Sequence, residues 1–160
     1  MKIRVGMGFD VHQLEVGRNF YLGGIQLHGA PKGAVGHSDA DVLIHAICDA
    51  LLGAASLGDI GHHFVNTDDR WKGMDSKFFL QEVTRMVQSN GWTIGNVDCT
   101  VCLEKPKINP HIAAMKKVLA PLMNVSEDDV SIKATTNEKL GYVGRDEGVC
   151  AYAVALIQKE

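Results

Sequence analysis

The chain has 160 residues, 46% of them hydrophobic and 22% charged, with a formal net charge of −3; this excludes a disordered or fibrous chain and fits one domain with a genuine core. The slightly acidic balance gives no global electrostatic reason to bind nucleic acid or an anionic membrane, so any anionic ligand has to be held by local groups or a metal. No apolar run reaches the roughly 18–20 residues of a membrane-crossing helix, and the start "MKIRVGMGFDVHQ" alternates where a signal peptide would be continuously apolar, so a cytoplasmic protein is expected.

The first predicted strand runs to about residue 13. Side chains two apart on a strand point the same way. Ile3, Val5, Met7, Phe9 and Val11 therefore share one face, which calls for a core to bury against. Lys2, Arg4, Gly6, Gly8, Asp10 and His12 share the other, where the two glycines point to close approach by another segment. "VGRNFYLGGIQLH" reads as a short strand or hairpin with turns at Gly17 and Gly23-Gly24, and "GAPKGAVGH" as a glycine-rich loop. A long helix follows from about Asp39 to Leu57. "GDIGHHFVNTDDRWKGMD" keeps no steady period and is rich in turn formers, so it reads as a loop of functional length.

A second helix is predicted from about Ser76 to Ser89, with Phe79, Val83, Met86 and Val87 on one face and Asn90-Gly91 as its stop. "WTIGNVDCTVCLE" is a strand and "KPKINP" a loop, after which Pro110 opens a helix over about 110–123. "VSIKAT" is a further strand. The last, "GVCAYAVALIQ", is apolar on both faces and so has to be covered on both sides, by helices or by another subunit. This order predicts a single α/β domain of α+β type over residues 1–160, a mixed β-sheet with helices packed on it.

Four cysteines, Cys48, Cys99, Cys102 and Cys150, are too few for a disulfide scaffold. Cys99 and Cys102 form a C-x-x-C, but residues three apart on a strand face opposite ways and no partner pair exists, so both read as structural.

On the first helix, at about 100° per residue, Ala40, Leu43, Ile47, Ala50, Leu51 and Ala54 make an apolar stripe. Ser38, Asp41, His45 and Asp49 fall in a narrow sector opposite, which is either a plain solvated face or a row of side chains turned to one site. Asp10, His12 and His45 together form an Asp/His/His set. Three nitrogen and oxygen ligands with a fourth position open is the donor set of a catalytic zinc, whereas structural zinc is usually closed by four ligands rich in cysteine. His37 and Ser38, at the helix entrance, suit a phosphate; Ser38 or Asp39 suits a simple N-cap equally well. "KATTNEKLGYVGRDEG" crowds Thr135, Thr136, Glu138, Lys139, Tyr142 and Arg145 just after a strand, where hydroxyls and a carboxylate can hold a second metal with phosphates. The P-loop, the G-x-S-x-G elbow, H-E-x-x-H and the dinucleotide fingerprint are all missing.

Taken in order, "GFDVH", "GHSDADVLIHAICDALLGAASLGDIG", "NTD", "EKPKINPH" and "IKATTNEKLGYVGR" closely resemble the 2-C-methyl-D-erythritol 2,4-cyclodiphosphate synthase family over nearly the whole chain. The resemblance implies zinc ligands at Asp10, His12 and His45, with Asp10, Val11 and His12 also touching substrate. It makes His37 and Ser38 substrate contacts, and has His37 stabilise the transition state together with Thr136. Asp59, Ile60 and Gly61, then Phe64, Asn66, Thr67 and Asp68, become the loop over the methylerythritol and phosphate part. Leu103, Glu104, Lys105, Pro106, Lys107, Ile108 and Asn109, with Thr135, Thr136, Asn137 and Glu138, become the cytidine and diphosphate pocket. Glu138 would reach a second divalent ion, magnesium or manganese. Tyr142 and Arg145 match positions lining the substrate site or the nearby interior of the oligomer.

The implied protein is a homotrimer with sites between neighbouring subunits, acting on a small cytidine diphosphate substrate with no nucleic acid or membrane partner. Its reaction converts 4-diphosphocytidyl-2-C-methyl-D-erythritol 2-phosphate into the 2,4-cyclodiphosphate and CMP, in the non-mevalonate isoprenoid route. Departures from the family pattern fall at Val65 and Asn66 in the loop, at Asn137, and at His62-His63. They leave the metal triad untouched. The rival expectations are a zinc-dependent phosphohydrolase, which would release a linear phosphate, and a non-catalytic nucleotide sensor, which would release no CMP.

Overall fold

A computed structural model describes residues 1–160 as a five-stranded sheet with its three long helices on one face, beside a two-stranded hairpin. The strands are β1 (Lys2–Val16), β2 (Tyr21–Leu22), β3 (Ile25–Gln26), β4 (Lys32–Val35), β5 (Thr93–Cys102), β6 (Val130–Thr135) and β7 (Gly148–Lys159). The helices are α1 (Val42–Ala55), α2 (Ile60–His63), α3 (Ser76–Ser89), α4 (Ile112–Met123) and α5 (Gly141–Gly144). The main sheet runs β4-β1-β7-β5-β6. Only β5 and β6 pair in parallel, so the sheet is mixed.

The glycines of β1 set how the main layer packs. Gly6 and Gly8 pair with Ala155 and Ala153 of β7, and together they leave a smooth strip on which α1 lies. A Cβ on Gly8 would come within 1.9 Å of the Ala46 carbonyl oxygen, and one on Gly6 within 2.0 Å of that of Ala50. Helix backbone thus rests almost directly on strand backbone. Around this contact, Leu43, Ile47 and Leu51 of α1, Leu80 and Val83 of α3, and Met115 and Leu119 of α4 form a single core.

This reverses the expectation for β1. Its glycine face is the buried one, and its apolar face is open: Ile3, Val5 and Met7 are 55%, 63% and 65% exposed. Small residues win the core side because α1 needs the room. β7 behaves likewise. Val149, Ala151, Ala153, Ala155 and Ile157 are buried, while Tyr152 and Val154 stay exposed on the far face beside the β1 side chains. Phe9 and Tyr152, paired across the two strands, hold their rings 5.0 Å apart there.

Other boundaries shift for local reasons. The β2–β3 hairpin forms as expected, its two-residue turn filled by Gly23 and Gly24, both at positive φ as a tight primed turn requires. Part of the glycine-rich loop is drawn into the sheet as β4, paired with the end of β1, so β1 runs on to Val16. α1 starts at Val42, capped by Asp41 rather than by Ser38 or Asp39. Asp41 is fully buried, and its carboxylate accepts from Ile44 N at 3.1 Å, Gly23 N at 2.9 Å and Gly24 N at 2.7 Å. The long loop contains α2 and a 3-10 turn at Asp69–Trp71. α3 has the predicted limits, and Pro110 lies in a 3-10 turn, Asn109–His111, that leads into α4. Cys99 is buried in the core, whereas Cys102 sits with Cys150 and Val143 in a separate small cluster. Burial pushes the Cys102 thiol up to about 11, which suits packing and not metal binding.

Candidate metal centre and its cavities

Because α1 lies so close on β1, His45 comes down beside the end of the strand's inner face, where Asp10 and His12 project together. Asp10 Oδ2 lies 3.0 Å from His12 Nε2 and 3.1 Å from His45 Nδ1, and the two nitrogens are 3.3 Å apart. These spacings approach the edges, about 3.3 Å, of a tetrahedron of nitrogen and oxygen ligands around zinc. The three residues are also the one cluster of histidine, cysteine and acidic side chains with ligand atoms this close.

The hydrogens fit the same role. His12 Nδ1 lies 3.0 Å from the Val35 carbonyl of β4. A carbonyl only accepts, so Nδ1 of His12 carries a proton, and Nε2, turned toward Asp10 and His45, is the nitrogen left to meet a metal. Burial works against a charge on Asp10, but hydrogen bonds from His12 and His45 outweigh it and bring the carboxyl to about 2. Burial likewise opposes protonation of His45, yet its hydrogen bond to Asp10 and the Asp10 charge raise it. An ionised carboxylate beside two imidazoles is a strong cation site.

The cluster forms one end of a cavity of ≈ 310 Å³. His37, Ser38 and Asn66 are the rest of its polar lining, Ile60, Phe64, Trp71 and Phe79 its apolar lining, and Gly36 and Gly61 complete it. Phe64 packs against Phe79 with centroids 4.8 Å apart and against Trp71 at 5.4 Å. His37 donates from Nε2 to the Asp68 carbonyl at 3.0 Å, tying the cavity's entrance to the 64–68 loop. Asp59 caps α2, accepting from His62 N at 2.9 Å, and Asp68 is engaged by Arg70 at 2.6 Å. Thr67 does not line the cavity. Of the polar sector on α1, Asp41 serves as cap, His45 joins the cluster and Asp49 accepts from Ile60 N at 2.7 Å. The sector is therefore not a solvated face.

A second cavity, ≈ 180 Å³, lies at the ends of β5 and β6. Leu103, Glu104, Pro106, Lys107, Ile108 and Asn109 line one side and Ala134, Thr135 and Thr136 the other. Glu104 Oε1 accepts from Asn137 N at 2.9 Å and Lys139 N at 3.4 Å, which holds the turn after β6 in place. Glu138 lies in that turn with its Oε1 3.3 Å from Thr136 Oγ1. It stands outside the Asp10, His12 and His45 cluster. Lys105, Asn137 and Glu138 do not line this cavity, and the two cavities share no lining residue. Val11 points to the outer face of β1, where it borders an open recess with Gln13, Tyr142 and Glu147. Arg145 pairs with Glu147 at 2.9 Å.

Trp71 and Phe79 were not among the expected site residues. Phe79 belongs to the buried stripe of α3, and nothing in the periodicity says that this stripe ends at a cavity. Trp71 sits in a segment without a period.

A family model described as the YgbB family matches residues 3–158. A 2-C-methyl-D-erythritol 2,4-cyclodiphosphate synthase from Cytophaga hutchinsonii is 66% identical over 159 residues, covering 99% of each chain. Among solved structures, a 2C-methyl-D-erythritol-2,4-cyclodiphosphate synthase in its CDP-bound form is 40% identical, with a TM-score of 0.89 over 97% of this chain and 100% of that one. The bifunctional IspDF of Campylobacter jejuni superposes with a TM-score of 0.95 at 37% identity, over 99% of this chain. The chain spans 43% of the length of that bifunctional protein.

Proposed function

The chain belongs to the YgbB family, and we propose that it catalyses the reaction its relatives are named for, closing 4-diphosphocytidyl-2-C-methyl-D-erythritol 2-phosphate to the 2,4-cyclodiphosphate with loss of CMP. The observation that carries this reading is the convergence of Asp10 Oδ2, His12 Nε2 and His45 Nδ1 in the wall of a cavity lined by both polar groups and aromatic rings. Such a cavity suits a small phosphorylated polyol bearing a methyl group.

In the reaction a 2-phosphate oxygen forms a bond to the β-phosphorus, the bond from that phosphorus to the bridging oxygen breaks, and CMP leaves with the electron pair. The attacking oxygen is already anionic near neutral pH, so the chain supplies orientation and charge neutralisation without a strong general base. His37 and Ser38 orient the phosphates, His37 and Thr136 stabilise the transition state, and Phe64, Trp71 and Phe79 keep water away. Zinc on the triad, and magnesium or manganese at Glu138, would supply Lewis-acid neutralisation of the phosphate oxygens. The second cavity is the cytidine pocket, consistent with the CDP-bound form of a relative.

The separation of the two cavities favours assembly. A homotrimer with the exposed β1 and β7 side chains turned inward would bring the metal cavity of one chain to the nucleotide cavity of the next. The enzyme is then a phosphorus–oxygen lyase, one synthase domain over residues 1–160, working in the cytoplasm; no helix is long and apolar enough to cross a membrane. Product analysis with metal quantification tests the proposal. Cyclic diphosphate and CMP in equal amounts from metal-loaded protein are expected. A linear phosphate product, or CDP binding without CMP release, would overturn it.

A further inference from the structure

The turn after β6 is built on an uncommon backbone. Glu138 and Lys139 both stand in the left-handed region, with φ of 51° and 62°. Residues other than glycine enter that region one at a time, and two in succession persist only where the surroundings force them. Nowhere else in the chain do two successive non-glycine residues share it.

Two elements grip this turn. On one side a Cβ added to Gly144 would lie 2.1 Å from the Lys139 carbonyl carbon, so α5 rests directly on the turn's backbone. α5 is itself seated on the sheet through Val143, which is buried with Cys102 of β5 and Cys150 of β7. On the other side is Glu104, two residues beyond Cys102. Its Oε1 accepts from Asn137 N at 2.9 Å and from Lys139 N at 3.4 Å, the amides that flank Glu138. Hydrogen bonds to an ionised acceptor are stronger than those to a neutral one. Within the turn, Thr136 Oγ1 accepts from Glu138 N at 3.3 Å and donates to Glu138 Oε1 at the same distance. The place of both side chains therefore follows from the shape of the turn.

Glu104 lines the second cavity, and by position alone it suits a nucleotide contact. The partners of its Oε1 give it a different role. We infer that Glu104 is a positioning residue: it locks the left-handed pair Glu138 and Lys139, and through that turn sets where Thr136 and Glu138 meet the diphosphate of the ligand. The inference rests on the nucleotide reading of the second cavity proposed above. It also separates the two ends of the ligand. Leu103, Pro106 and Ile108 belong to the segment after β5 and do not depend on the turn. The nucleoside should keep its contacts when Glu104 lets go, while the phosphates lose theirs.

Glu104→Met and Glu104→Gln test this, because the two replacements are alike in length and the second alone keeps an oxygen for the two amides. Two measurements are made on each variant and on wild type. One is cytidine and CDP affinity by NMR titration in a single magnesium buffer. The other is the backbone chemical shifts of Glu138 and Lys139, which report left-handed φ. Glu104→Met is expected to lose the left-handed shifts and to bind CDP about tenfold or more weakly, the worth of a hydrogen bond to a charged group. Its cytidine affinity should change little, and Glu104→Gln should recover most of the loss. A link that merely added stability would lower the melting temperature and leave the shifts and the ratio of the two affinities alone. If Glu104→Met does not fold, Glu104→Ala carries the test. Equal losses for cytidine and CDP would make Glu104 a direct nucleoside contact and overturn the inference. Unchanged CDP affinity in folded Glu104→Met, or left-handed shifts that persist there, would overturn it too. Wild type that binds neither cytidine nor CDP overturns the nucleotide reading instead, and the shifts then still decide whether Glu104 shapes the turn.

Discussion

His12 and His45 meet edge to face with ring centroids 5.4 Å apart, their facing nitrogens at 3.3 Å and each remaining nitrogen committed to another partner. Two imidazole nitrogens and a carboxylate oxygen held this close gain from a positive charge between them. The outer hydrogen bonds keep the rings turned inward even before one arrives.

Asp10→Asn and His45→Ala should therefore lose bound metal and turnover together. Elemental analysis of the purified variants, run beside CMP release, checks this. Full activity in metal-free Asp10→Asn protein would remove the triad from the chemistry.

The two kinds of ligand give opposite pH dependences in metal-free protein. His45 is raised above its ordinary 6.5, so its contribution to stability is full below that value and disappears as pH rises through its folded value. Asp10 is lowered from 3.8 to about 2, so its contribution is present above 3.8 and is lost as pH falls toward 2. Metal affinity should rise with pH as the His45 proton is displaced, while Asp10 stays ionised throughout. Thermal melts with and without metal across about pH 2–9 read both trends. Metal affinity that does not change across the imidazole range would contradict the arrangement.

Gly8→Ala should destabilise by about 1–3 kcal/mol or more, because an added methyl has to push α1 away from β1. The new Cβ would meet Ala46 O, backbone that cannot step aside as a flexible side chain can. The denaturation midpoint measures the loss. Metal affinity should fall as well, since His45 rides on the same helix next to Ala46.

Met7→Glu places a charge in the middle of the open apolar face of β1. If the proposed trimer forms through this face, sedimentation should show it dissociating to single chains that still bind one metal at the triad. An unchanged sedimentation coefficient would place the subunit contact elsewhere.

Mixing chains offers a sharper check on shared sites. Asp10→Asn protein and a variant blocked at the second cavity, such as Ala134→Trp, should each be inactive. Refolded together in equal amounts, they should recover about a quarter of full activity if the proposed trimer forms, because each mixed cyclic trimer would keep one intact site. No recovery would mean that each chain completes its own site.

The periodicities of α1 and α3 made those helices readable, and strand parity placed Asp10 beside His12. Parity could not say which face of β1 is inside. Ile3, Val5 and Met7 look like core by composition, yet Gly6 and Gly8 take that place because the backbone of α1 needs it. β4 was hidden because a four-residue strand inside a glycine-rich stretch carries no alternation of its own and forms only against β1. The outer partner of His45 was hidden for a different reason. Ser76, whose Oγ lies 2.9 Å from His45 Nε2, is far away in sequence and looks like an ordinary residue at the start of a helix.

Asp41 carries a consequence for how the chain opens. A hairpin of two-residue strands is too short to persist alone, but the amides of both its turn glycines end on a carboxylate with no exposed surface. Those two protons can exchange with solvent only when the start of α1 comes apart. Gly23 and Gly24, at the tip of a small turn, should therefore rank among the slowest-exchanging amides and report global unfolding rather than local fraying.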